Sequence, residues 1–116
     1  MEASVEKLVK ISVAIHRLNK AAESKTGISI VQYYLLQKLK DHPACSPQKL
    51  SEIMGVHPST LTQTLKRLEK KQAIYIAEDP KDSRKKILTL TRTGSELFQK
   101  SKDQLQQLIK INTIEL

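Results

Sequence analysis

Apolar positions in the first part of the chain recur at helical spacing. Leu8, Ile11, Ile15, Leu18 and Ala22 alternate steps of three and four, and Val5, Val9 and Val13 form a second stripe beside them. The pattern predicts a helix over 3–24 with a broad apolar surface. One reading is a single wide core face. The other is that one stripe packs within the chain and the second packs on another copy, because a small domain has little core with which to cover both.

Lys25-Thr26-Gly27 interrupts the pattern. Ser29 is placed to cap a second helix running to about Asp41, with Val31, Tyr34, Leu35 and Leu39 expected inward. His42-Pro43 ends it, since the residue before proline avoids the helical region. Ser46-Pro47 then opens a short helix with a capping serine and a proline at the first helical position, where the missing N–H costs nothing. Leu50, Ile53 and Met54 supply its inner face, and Gly55 stops it. Pro58 starts another helix almost at once. Two helices separated by a tight Gly-containing turn make a helix-turn-helix.

The helix from Pro58 to about Lys71 carries Leu61, Leu65 and Leu68 on one side and polar residues elsewhere. Gln72 ends it, although Gly is the easier residue there. Ala73–Ala77 and Lys86–Leu90 read as strands, with a turn rich in Asp, Pro and Ser over 78–84. Together they predict a hairpin wing. Thr91 caps a last long helix, with Glu96 near its first turn. Leu97, Phe98, Ser101, Leu105, Leu108 and Ile109 form its stripe. The expected fold is mainly α with a small β-hairpin: a winged helix-turn-helix in a single domain over 1–116.

Composition sharpens this reading. The chain has 116 residues and a formal net charge of +8, which favours a polyanionic partner, either nucleic acid or an anionic membrane surface. The segment from His57 to Arg92 holds nine basic and four acidic residues, so most of the excess is concentrated there. No apolar run approaches the roughly 20 residues of a membrane span, and the N-terminus lacks the continuous apolar segment of a signal peptide. Cys45 is the single cysteine, so no disulfide forms within the chain, in keeping with a reducing cytosol.

Recognition helices read base edges with residues near their N-terminal ends. Here Pro58, Ser59, Thr60, Thr62 and Gln63 occupy that region. Ser and Thr can donate or accept, and Gln can pair bidentately with adenine. Lys66 and Arg67, one turn later, can reach guanine or phosphate. On the wing, Lys81, Asp82, Ser83, Arg84, Lys85 and Lys86 are the candidates for a minor-groove contact. Arg84 suits that narrow, negative groove, and Asp82 can hold the guanidinium or the turn in shape. Without DNA in play, the same residues would be ordinary helix-start chemistry and an exposed ion pair of little consequence.

These residues carry a resemblance. Asp79-Pro80, then Asp82 and Arg84, then Leu90-Thr91 with Gly94, resemble the winged-helix core of the MarR/SlyA family of bacterial transcriptional regulators. Gly27–Tyr33 looks like the opening of that family's second helix, and Leu50-Ser51-Glu52-Ile53 and Leu68-Glu69-Lys70-Lys71 also fit. The resemblance implies a cytoplasmic, nucleoid-associated homodimer on pseudo-palindromic DNA. It further implies repression of nearby genes, the usual role in the family, and the release by a small phenolic or anionic effector that is frequent there, other members responding to oxidants or metals instead. Dimerisation would run through the helices over 3–24 and 92–112, with Leu8, Ile11, Ile15, Leu105, Leu108 and Ile109 as contacts, leaving 28–92 as the DNA-binding lobe. Gln72 replaces the family's usual Gly, and Ile76 replaces a basic residue common just before the wing. The chain ends near Leu116 where typical members continue into another helix, so the expected dimer interface is either smaller than usual or built mainly from Leu8–Ala22 and Leu97–Ile109.

His16, Arg17, Tyr33 and Tyr34 are candidates to line an effector pocket, against ordinary packing and solvation. The family's oxidant-sensing cysteine lies in the first helix, where this chain has none, and Cys45 reads as an inert packed thiol. His42 and Cys45 have the spacing of two metal ligands without a second pair, so no metal or cofactor is expected. With no phosphate-binding glycine loop and no nucleophile–base constellation, no enzyme is expected. A nonspecific architectural DNA binder and a winged helix used for protein–protein contact remain as alternatives.

Overall fold

The computed structural model describes residues 2–111, less the side chains of residues 2, 3, 109 and 111. Five helices and one hairpin follow in order: α1 (Glu2–Thr26), α2 (Ile30–Asp41), α3 (Pro47–Met54), α4 (Pro58–Lys70), β1 (Ile74–Asp79), β2 (Asp82–Leu90) and α5 (Arg92–Ile111). The described residues form two compact units, one of residues 31–99 and the other of residues 2–30 with 100–111.

In the 31–99 unit the core is mainly aliphatic. Leu35, Leu36 and Leu39 of α2, Leu50 of α3, Leu61, Leu65 and Leu68 of α4, Ile74 and Leu88 of the hairpin and Phe98 are all buried. Each fully buried Leu contributes roughly 1.5–3 kcal/mol of transfer free energy. The ends of the helices explain where the chain turns. Ser46 Oγ accepts the Lys49 N–H at 3.1 Å ahead of Pro47. Gly55 closes α3 at φ 67°, with the Gly55 and Val56 N–H groups returning to Glu52 and Ser51. The same closure ends α4, although the left-handed residue is Gln72 at φ 61°. The Gln72 N–H bonds the Glu69 carbonyl and the Ala73 N–H bonds the Leu68 carbonyl, each at 2.9 Å.

Thr91 caps α5 as expected, its Oγ1 accepting the Gly94 N–H at 2.9 Å. It also clamps the helix to the end of α4. Thr91 Oγ1 donates to the Gln72 carbonyl at 2.6 Å, and the Thr91 N–H donates to the Ala73 carbonyl at 3.1 Å. Gly94 lies against that same carbonyl, and a Cβ there would run into the Ala73 oxygen. The Leu-Thr-x-x-Gly run is therefore a close approach of backbone to backbone. Glu96 lies beyond the first turn and pairs with Arg92 at 3.2 Å instead of serving the helix dipole.

Two elements differ from the sequence pattern. In α2 the buried residues are Gln32, Leu35, Leu36 and Leu39, while Val31 and Tyr34 are exposed. The helix is rotated from the expected face because Gln32 is a buried member of it. Its Oε1 accepts from Lys71 Nζ at 3.1 Å, so the amide is not left unsatisfied. The wing strands also run further than the residues at their tips suggest. They reach Asp79 and restart at Asp82, so the turn is only Pro80-Lys81.

In the other unit, Ala22, Ile28, Ser101 and Leu108 are buried. The outer part of α1 keeps both apolar stripes in the open: Val5, Val9, Val13 and Ile15 are exposed, and Leu8 is 67% exposed. Ile11 and Leu18 are half-buried.

Candidate nucleic-acid interface

The outer face of α4 is built by the contrast along its own sequence. Leu61, Leu65 and Leu68 anchor the helix, and Thr64 turns inward with them, its hydroxyl donating to the Thr60 carbonyl at 2.9 Å. Pro58, Ser59, Thr60, Thr62, Gln63, Lys66 and Arg67 are left exposed. Thr62 Oγ1 donates to the Pro58 carbonyl at 2.9 Å, so towards a partner this hydroxyl acts as an acceptor. Among the described residues, Gln63, Lys66, Arg67 and Lys70 have no side-chain hydrogen bond or ion pair, and their donors face solvent. Lys71 is committed elsewhere, to Gln32.

His57 caps α4, a role the sequence pattern did not assign to it. Its φ and ψ are −66° and 141°, and Nδ1 accepts the Ser59 N–H at 3.1 Å. Ser59 Oγ lies 2.8 Å from the same nitrogen. Histidine is an uncommon N-cap beside Ser, Thr, Asp and Asn, so the position before Pro58 was marked in the sequence but the residue type gave no sign of the capping role.

The wing is shaped by a bulge. Glu78 pairs with Lys86 and the next residue, Asp79, pairs with Asp82, which leaves Ser83, Arg84 and Lys85 without opposite residues. These three project from β2. Asp82 organises them: Oδ1 accepts the Arg84 N–H at 3.0 Å and Nε–H at 3.1 Å, and Oδ2 accepts from the guanidinium at 3.3 Å. The Arg84 side chain is 89% exposed. An ion pair that exposed adds little to stability, but it removes conformational freedom from both the bulge and the guanidinium. The Arg84 side chain, followed by its backbone N–H, holds the Asp82 carboxyl below the usual carboxylate range. Lys86 pairs with Glu78 at 3.3 Å, Asp79 accepts the Lys81 N–H at 2.9 Å, and the Lys85 side chain has no partner among the described residues. An open groove lined by Ser46, Pro47, Gln48, Arg84, Lys85 and Lys86 separates the start of α3 from the bulge.

Cys45 also meets the wing. The Leu88 N–H donates to the Cys45 carbonyl at 2.9 Å, a one-residue bridge that extends the sheet beside β2. Burial pushes the Cys45 thiol above its ordinary value, against a smaller opposing backbone hydrogen bond. Thiolate, the reactive form, is thereby disfavoured.

The remaining candidates are spread over both units. His16 and Arg17 are exposed on α1. Tyr33 is stacked on Phe98 with ring centroids 5.1 Å apart, and Lys38 Nζ lies 5.4 Å from the centre of the Tyr34 ring. Leu8 and Ile15 are exposed, Ile11 and Leu105 half-buried, and Leu108 is already buried within the single chain. The Ile109 side chain lies outside the described residues. Among the described residues no group of three or more His, Cys, Asp or Glu could hold a metal ion. No described helix is long and apolar enough to cross a membrane.

A helix-turn-helix followed by a two-stranded hairpin, with a polar, cationic outer face on its second helix, is a winged helix-turn-helix. The MarR family pattern matches residues 28–86, and the chain belongs to that family. An uncharacterized HTH-type transcriptional regulator of Bacillus subtilis, YxaD, is 31% identical over 77% of this chain and 66% of its own length. The HTH-type transcriptional repressor NicR of Pseudomonas putida is 29% identical over 72% of this chain and 59% of its own. The crystal structure of a MarR-like transcription regulator from Bacillus cereus superposes with a TM-score of 0.79 at 28% identity, covering 97% of this chain and 83% of that one. The chain spans about one half to two thirds of the length of the curated relatives it matches.

Proposed function

We propose that this chain is a sequence-specific DNA-binding transcriptional regulator, a repressor that binds a pseudo-palindromic operator as a homodimer. In this reading Ser59, Thr60, Thr62 and Gln63 read base edges in the major groove. Lys66 and Arg67 bind guanine or phosphate, and Arg84 enters the minor groove. The observation that carries the reading is the pairing of an α4 face whose cations have no acidic partner with a wing arginine already held by Asp82. Unpaired cations have no ion pair to break before meeting phosphate, and an oriented guanidinium loses less freedom on insertion.

The exposed apolar residues of α1 support a second copy as partner, since contiguous apolar surface of this kind marks interaction sites. Its two-fold symmetry would match the symmetry of the operator. Repressor names among the relatives support negative control, and the effector is proposed to be a small phenolic or anionic molecule. No enzymatic step enters this reading.

Selection of bound duplexes from a random library at fixed salt tests it. Enrichment of a palindrome is the expected result. Uniform, steeply salt-dependent binding would identify an architectural binder, and absence of binding would point to a protein partner. On the selected site Arg84→Ala is expected to weaken binding at least tenfold, about 1.4 kcal/mol, with the oligomeric state unchanged. Unchanged affinity would remove the wing from the interface.

A further inference from the structure

We propose that His57, the cap of α4, is itself a DNA-contacting residue whose cap bond fixes the tautomer that makes the contact. The Ser59 backbone N–H can only donate, so the imidazole nitrogen 3.1 Å away must accept. Nδ1 therefore carries no proton, and in the neutral ring the proton sits on Nε2. The residue is exposed, and Nε2 has no partner among the described residues. One edge of the ring is thus held by the helix, and the other presents a single N–H donor beside Ser59 and Thr60. The other capping residues, Ser, Thr and Asp, satisfy the helix but reach no further. Histidine does both because its two nitrogens point in different directions.

The acceptor is an oxygen or nitrogen of the duplex. A neutral N–H releases no counterion, so this contact adds affinity without adding to the salt dependence, unlike Lys66. The inference rests on the DNA-binding reading above.

The test uses the full chain, the duplex selected above and a scrambled duplex of the same length. In the free protein, nitrogen NMR is expected to show His57 with Nδ1 unprotonated and Nε2 protonated, and the Nε2–H signal should shift on adding the selected duplex. His57→Ser keeps a capping oxygen and loses the outer donor. It is expected to leave the thermal midpoint nearly unchanged, to weaken binding about three- to tenfold, and to leave the salt slope as in the native chain. Loss on the selected duplex alone identifies a base edge as acceptor, and equal loss on both identifies a phosphate. If the native chain binds DNA and His57→Ser binds equally well, or the free ring is protonated on Nδ1, the inference falls and the DNA-binding reading stands. If the native chain binds neither duplex, the reading itself fails.

Discussion

Gly94→Ala tests how closely α5 must approach the end of α4. A methyl group at this position would overlap the Ala73 carbonyl oxygen, lie 2.9 Å from the carbonyl carbon and lie 2.8 Å from Leu90 Cδ1. Leu90 can adjust, but the Ala73 backbone is held within the closure of α4 by its N–H bond to Leu68. The first turn of α5 must therefore retreat by about 1 Å to restore ordinary contact in a close-packed interior. That retreat strains or breaks the Thr91 N–H bond to Ala73 and the Thr91 hydroxyl bond to Gln72. Each is worth about 1 kcal/mol, and overpacking adds roughly 1–3 kcal/mol. The higher helix propensity of Ala returns at most about 1 kcal/mol. The net expectation is a loss of about 2–4 kcal/mol. It should appear in urea unfolding at fixed protein concentration as a lower midpoint with an unchanged slope. A Gly94→Ala chain as stable as the native one, or more stable, would refute the close-approach reasoning.

Two further outcomes follow from the same region and from the wing. Gln72→Gly places glycine at the left-handed position closing α4 and keeps both backbone bonds there. Relief of the side-chain penalty, partly offset by the entropy of the unfolded chain, is expected to stabilise by roughly 0.5–1 kcal/mol; a lower unfolding midpoint would contradict this. For Asp82 the folded carboxyl titrates below its ordinary value because of Arg84. Its contribution is present above the ordinary carboxylate range and is lost as pH falls through the lowered folded value. The Arg84 Nε–H and amide signals should therefore hold steady from neutral pH downward and shift only as pH falls below the ordinary aspartate range. A transition at or above the ordinary aspartate range would argue against the Asp82–Arg84 pair in solution.

What the sequence determined by itself was local. Helix starts and stops were legible wherever a side chain serves its own neighbourhood: Ser46 before Pro47, Gly55 after Met54, Thr91 three residues ahead of Gly94. The face of α4 was legible because its leucines contrast with everything around them, and the family resemblance rested on short-range motifs of the same kind. Tertiary structure decided what depends on distant partners. Gln32 belongs to the buried face of α2 because Lys71, 39 residues away, satisfies its amide. Cys45 joins the sheet because Leu88 needs an acceptor on its open side. The tip of the wing is a bulge over 83–85, held by Asp82, and strand register is set by pairing across the hairpin, which composition does not encode. His57 showed the same division within one residue. Its place before Pro58 was visible in the chain, but only the folded geometry put Nδ1 on the Ser59 N–H and left the other nitrogen facing outward.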